Sequence, residues 1–181
     1  FYSIFYVNSQ LYVDASCLMD DGASDLIKYS WYGVDGGKMN RFFYQSNFVT
    51  PQGNFRSNWN DMYTRIRQLN EYFYDLKKYG LNPEEVAART AEVRFMRAFA
   101  YQELVIRHGG VILRTSEEYI DGPEERAKAR SSETECWDFI LEEYKKAAND
   151  LPESWANSDA GRLTKGAAYG MQARAALYAK R

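Results

Sequence analysis

The chain has 181 residues, 45% hydrophobic and 27% charged, which is enough for one domain with its own core and excludes the composition of a disordered segment. Its formal net charge of -2 and pI of about 5.6 give no long-range attraction for nucleic acid or anionic lipid, and no apolar run reaches the length of a membrane span. Aromatic residues make up 16%, with 15 Tyr, 10 Phe and 4 Trp, a high share for a helical protein. Many of them lie before residue 80, and such rings serve cores, partner surfaces and sugar-binding surfaces alike.

Taken in chain order, the spacing Ile4, Val7, Leu11, widened by Tyr2, Phe5, Tyr6, Tyr12 and Val13, predicts a helix over 1–19. Asp20-Asp21-Gly22-Ala23-Ser24-Asp25 breaks it, and from there to about Asn58 the chain is rich in Gly, Asn, Ser and aromatics, with turns at Gly36-Gly37 and Pro51-Gln52-Gly53-Asn54. A long irregular segment of this kind is more often functional than idle. Asn58 then caps a helix over 59–79 whose buried face reads Trp59, Met62, Tyr63, Ile66, Leu69, Asn70, Phe73, Leu76, stopped by Gly80.

The next helix, over 83–107, is expected to start with Asn82 as cap, Pro83 at its first position and Glu84-Glu85 at the positive end of the macrodipole, and to stop at Gly109-Gly110. Its sequence is apolar nearly all round, yet it holds Glu92, Arg94 and Arg97. Charges in such a helix need carboxylate or carbonyl partners, so these residues, with Asn70, read first as polar connectors between helices. Val111-Ile112-Leu113 is a short extended piece, followed by a polar loop from Ser116 to Arg130. Ser132 with Glu135 forms a capping box for a helix over 133–150, with Trp137, Ile140, Leu141, Tyr144, Ala147, Ala148 and Leu151 facing inward and Pro152 beyond it. Thr164 caps a last helix rich in small residues, Ala167, Ala168, Gly170, Ala173, Ala175 and Ala176, whose pattern still runs at Arg181. The fold class expected is all-α, in antiparallel pairs of the tetratricopeptide-repeat kind, with the long irregular aromatic-rich segment set among them.

Three segments, in this order, resemble one family, the SusD/RagB-like nutrient-binding lipoproteins of the bacterial outer membrane. They are Trp59-x3-Tyr63-x2-Ile66-x3-Asn70; Ala91-Glu92-Val93-Arg94-Phe95-Met96-Arg97-Ala98-Phe99-Ala100-Tyr101-Gln102-Glu103-Leu104 running to His108-Gly109-Gly110-Val111; and Gly161-Arg162-Leu163-Thr164-Lys165-Gly166-Ala167-Ala168, followed by Ala173-Arg174-Ala175-Ala176-Leu177-Tyr178. Together they span about two thirds of the chain. Ile112 stands where the family commonly carries Pro, which is expected to loosen the turn. The resemblance implies a tetratricopeptide-like scaffold at the cell surface, over a TonB-dependent (SusC-like) outer-membrane transporter, that captures nutrient, usually an oligosaccharide, without a cofactor. Family members run to several hundred residues and begin, when mature, at a lipid-modified cysteine. Residues 1–181 are accordingly expected to be the N-terminal helical part of such a protein, with the C-terminal half and any lipid anchor outside them. The rival reading is a helical-repeat adaptor that binds only protein.

From the residues themselves, the ligand candidates are Arg41, Phe43, Tyr44, Asn47, Asn58 and Trp59, because sugar recognition combines a flat apolar face for C–H groups with planar amide and guanidinium donors for vicinal hydroxyls. The same composition suits a transporter interface or loop packing, and for Trp59 core packing is preferred over ring stacking on a sugar. Other constellations fail. Arg107-His108-Gly109 lacks the further Arg and Pro of a histidine-phosphatase pocket and sits at a helix C-terminus, where the dipole repels phosphate. Asp20, Asp21 and Asp25 lack calcium-loop spacing, and Glu124-Glu125 and Glu142-Glu143 are adjacent in sequence and diverge on a helix. His108 is the only histidine, so a zinc site is not expected, nor is an enzyme. Cys17 and Cys136 are far apart, open either to a disulfide or to two independent thiols, with the latter preferred.

Overall fold

The computed structural model describes residues 2, 4, 5, 59–84, 86–115 and 127–181. By internal contacts the chain divides into two units, 2–58 and 59–181, the second also holding Phe1. In the first unit only Tyr2, Ile4 and Phe5 are described, in 3-10 conformation, with the Tyr2 and Phe5 rings edge-on at 5.9 Å. The rest of the expected helix over 1–19, the irregular segment, the three aspartates and Cys17 lie outside the described residues.

The second unit contains α1 (Trp59–Lys78), α2 (Ala87–His108), α3 (Glu133–Asp150) and α4 (Lys165–Tyr178), with a 3-10 turn at Asn157–Asp159; no strand occurs among the described residues. The fold is all-α and tetratricopeptide-like. α2 packs on α1 and on α3, and α4 packs on α3. The order of contacts makes each pair antiparallel: Tyr72 meets Thr90 while Trp59 meets His108, Glu143 meets Arg97 while Phe139 meets Tyr101, and Gln172 meets Leu141 while Tyr178 meets Trp137.

Helix faces follow the sequence period. Met62, Ile66, Leu69 and Phe73 are buried on α1; Trp137, Ile140, Tyr144, Ala147 and Ala148 on α3. α2 is buried almost all round through its middle, as a helix between two others must be. Its start differs from expectation. Asn82 Oδ1 does accept from the Glu84 N–H, at 3.1 Å, but Pro83 and Glu84 form a turn, and the helix begins at Ala87 with the Thr90 N–H bonded to the Val86 carbonyl. Asn82 therefore caps the turn that leads into the helix.

α1 ends in a Schellman arrangement, with Gly80 at φ +58°, its N–H on the Lys77 carbonyl and the Leu81 N–H on the Leu76 carbonyl. α4 does not run on to Arg181. It closes the same way, the Lys180 N–H on Leu177 and the Arg181 N–H on Ala176, with Lys180 itself left-handed at φ +57°. The capping box of α3 forms as expected: Ser132 Oγ accepts from the Glu135 N–H and the Glu135 carboxylate accepts from the Ser132 N–H. Hydrogen bonding to Ser132 holds the Glu135 carboxyl below its usual value.

Candidate functional site

The charged residues inside α2 are the junctions of the scaffold. Arg97 is 2% exposed; its Nε and Nη2 donate to Glu143 Oε2 of α3 at 3.0 and 2.6 Å, and its Nη1 donates to Asn70 Oδ1 of α1 at 2.9 Å. Its guanidinium also lies over the Phe73 ring, 4.4 Å from the centroid. Arg94 takes the other Glu143 oxygen at 3.0 Å. Glu92 accepts from Nε and Nη2 of Arg162, at 3.0 and 2.7 Å, and Arg162 in turn covers the Trp155 ring. The three resemblance segments thus meet one another: Asn70 of the first with Arg97 of the second, Glu92 of the second with Arg162 of the third. The expected role of Asn70, Glu92, Arg94 and Arg97 as connectors is what the structure shows.

The segment after α2 is an extended strap that pairs with side chains. Gly109 has φ +65°, and a Cβ on Gly110 would lie 2.3 Å from the Ser131 carbonyl oxygen, so each glycine is required for its own reason, conformation at the first and close approach at the second. The Tyr63 hydroxyl accepts from the Ile112 N–H at 2.9 Å and donates to the Ile112 carbonyl at 2.8 Å. Tyr101 does the same for Arg114, at 2.7 and 3.0 Å, and Asn70 Nδ2 adds a bond to the Arg114 carbonyl. Cys136, a free buried thiol, faces the Val111 N–H and carbonyl. Burial pushes Tyr63 up to about 12 and Tyr101 further, so both stay neutral and keep the proton that they donate; burial also raises the Cys136 thiol. Here the sequence expectation is corrected. Ile112 does not loosen the turn, because its N–H, which proline lacks, is one of the bonds that pins it.

Beside the strap, at the start of α1 and the end of α2, stands the one ligand candidate that is described. Trp59 is half-buried, its ring tilted against Tyr63 at 4.9 Å and nearly perpendicular to His108 at 5.1 Å, with the Arg130 guanidinium over it at 4.9 Å. His108 Nε2 is buried without a hydrogen-bond partner among the described residues, and burial, with the charges of Arg130 and Arg107, lowers the imidazole below its usual value. Arg41, Phe43, Tyr44, Asn47 and Asn58 lie outside the described residues. Sequence reasoning passed over His108 and Arg130 as neighbours of Trp59. No local signal marks them, since Arg130 reaches the ring from the far side of the loop between α2 and α3. Among the described residues, no helix is long and apolar enough to cross a membrane, and no group of three His, Cys, Asp or Glu residues could hold a metal ion.

Residues 29–177 match the SusD-like family described as "Starch-binding associating with outer membrane". The chain belongs to the SusD-like family. A SusD-like protein from Bacteroides fragilis NCTC 9343 is 34% identical at a TM-score of 0.72, the match covering 98% of this chain and 35% of that one. A laminarin-binding SusD-like protein is 26% identical at a TM-score of 0.67, covering 80% and 31%. A protein crystallised with a xylogluco-oligosaccharide is 25% identical at a TM-score of 0.65, covering 87% and 29%. No curated protein matches the chain. This SusD-like chain spans about a third of the length of the structures it matches.

Proposed function

We propose that this chain is the N-terminal helical part of a non-catalytic, cell-surface glycan-binding protein that captures oligosaccharide for a TonB-dependent outer-membrane transporter. The observation that carries the reading is the family match over residues 29–177, described as starch-binding and outer-membrane-associated, together with its likeness to a laminarin-binding protein and to one crystallised with a xylogluco-oligosaccharide. The described residues suit a scaffold: Arg94, Arg97 and Glu143 join helices, and the Tyr63 and Tyr101 hydroxyls hold the strap. Attachment to the membrane is assigned to a lipid anchor outside residues 1–181. The ligand side chains proposed are Arg41, Phe43, Tyr44, Asn47, Asn58 and Trp59, which supply rings for stacking and amide or guanidinium groups for hydroxyls.

A chain carrying part of a site binds weakly, so the 181-residue chain should reach at best millimolar affinity, on the order of 4 kcal/mol. In the full-length protein Trp59→Ala should weaken glycan binding at least tenfold, on the order of 1.4 kcal/mol, while leaving it folded. Calorimetric titration against a glycan panel, with thermal melts in parallel, is the measurement. The engagement of the Trp59 ring by Tyr63, His108 and Arg130 favours a second reading of this one residue, as packing at the corner of the scaffold. Unchanged affinity with a lowered melting temperature would select that reading and move the site elsewhere. Failure of every glycan to bind the full-length protein would favour a protein-binding adaptor.

A further inference from the structure

The side chains gathered on Trp59 are not engaged alike. Tyr63 and His108 come from helices and pack on the indole with ring centroids at 4.9 and 5.1 Å, as scaffold residues do. Arg130 differs from both. It stands in the loop before α3, it is exposed, and its guanidinium lies over the Trp59 ring, 4.9 Å from the centroid. Arg94, Arg97, Arg107 and Arg162 each hold a carboxylate. The Arg130 guanidinium has neither a carboxylate nor a carbonyl partner among the described residues. Its charge bears on Tyr63 and on His108 alike, so the head group belongs to this corner. The backbone beside it is anchored, because the Ser131 N–H donates to the Val111 carbonyl of the strap at 2.9 Å.

A guanidinium over a ring is attracted by the ring's quadrupole and forms no ordinary hydrogen bond there, so its fork of N–H donors stays available to an incoming acceptor. An exposed contact of this kind adds little to a fold. What it does is hold a planar donor group at one place beside an aromatic face, and a sugar uses both: the ring takes C–H groups, and the fork spans two neighbouring oxygens. Charge does not favour an acidic sugar, because Glu117, Glu118, Asp121, Glu124 and Glu125 precede Arg130 in the same connection between α2 and α3. We infer that Arg130 is a further glycan-binding residue, acting with Trp59 as one unit in which the indole takes the C–H face of a neutral sugar and the guanidinium donates to two adjacent hydroxyls. The inference rests on the glycan-binding reading above and adds to it a residue from a part of the chain far from the other candidates.

The test is calorimetric titration of the full-length protein with maltohexaose, cellohexaose and xylohexaose, with thermal melts of every variant. For the hexasaccharide that wild type binds, Arg130→Ala should weaken affinity about tenfold or more, while moving the melting temperature by no more than about 1 °C, as an exposed side chain does. Arg130→Lys should recover little, since an ammonium carries the charge without the planar fork. Trp59→Ala combined with Arg130→Ala should lose less than the product of the two single losses, because each residue needs the other to hold the sugar. Wild-type affinity in Arg130→Ala, full recovery by Arg130→Lys, or a double loss equal to that product would overturn the inference and leave glycan capture standing. A fall of several degrees in both single Arg130 variants would make the residue a pin of the corner and overturn it as well. If wild type binds none of the three sugars, the inference falls together with the reading on which it rests.

Discussion

The Tyr63 hydroxyl shows how much one atom contributes at the strap. It is donor and acceptor to the same residue, Ile112, so Tyr63→Phe removes two bonds without changing the ring, and should cost about 1–3 kcal/mol in chemical denaturation. The acid-base sign is definite. The fold favours the neutral phenol, whose value rises from 10.0 to about 12, so the stabilisation is complete below pH 10 and is lost as pH climbs through 12. Wild type should therefore lose more stability than Tyr63→Phe between those values. His108 has the opposite dependence. Its folded value lies below 6.5, because burial and the neighbouring Arg130 and Arg107 disfavour the imidazolium, so the stability it contributes is present above pH 6.5 and falls away as acid protonates the unfolded chain first. As the only histidine, it gives a single imidazole resonance, and NMR titration should find a midpoint below 6.5; a midpoint at or above that value would mean that the ring is solvated.

At the scale of elements, the connection between α2 and α3 depends on backbone clearance. Gly110 runs so close to the Ser131 carbonyl that any Cβ forces the strap away from the N-terminus of α3. Because the obstacle is backbone, it cannot swing aside, and Gly110→Ala should cost about 1–3 kcal/mol, accompanied by faster exchange of the Ile112 amide. A melting temperature equal to wild type would show that the strap has room. The helices themselves rest on more local chemistry: the Ser132–Glu135 box, the Schellman turns at Gly80 and Lys180, and the Thr164 cap on α4, whose side chain accepts from the Ala167 N–H. Each involves residues a few positions apart, which is why sequence reading found the helices but misplaced the start of α2 and the end of α4. A cap can belong to the turn before a helix, and an apolar period continues past a residue that turns left-handed.

For the whole helical unit, the shared element is Glu143 with the two arginines of α2 and, through Arg97, Asn70 of α1. Removing Arg97 leaves the buried Glu143 carboxylate with the partly exposed Arg94 alone, and Arg97→Ala should destabilise the unit by roughly 3 kcal/mol. The double change Arg97→Met with Glu143→Leu should cost less than Glu143→Leu alone, because in the double variant only the partly exposed Arg94 loses its carboxylate, whereas the single change also strands the buried Arg97. Thermal melts of the single and double variants decide this. If the double variant is the least stable of the three, the cluster acts through its hydrogen-bond geometry rather than through charge balance.

What the sequence determined by itself is everything that depends on spacing along one element: the periods that make α1 and α3 two-faced and α2 buried all round, the box at Ser132, the stop at Gly80, and the need of Arg94 and Arg97 for partners. It could not say who the partners are. Glu143 stands 46 residues from Arg97, and Arg162 stands 70 from Glu92, separations at which no local rule selects one carboxylate over another. Only the antiparallel stacking of helices does so, by bringing the middle of α2 level with the middle of α3 and the start of the third motif level with the start of the second. The same holds for the candidate residue Trp59. Trp59 was legible as a ring at the mouth of a helix, but its engagement by His108 and Arg130 was not, because those residues reach it from the end of another helix and from a loop, and only folding brings them to one corner.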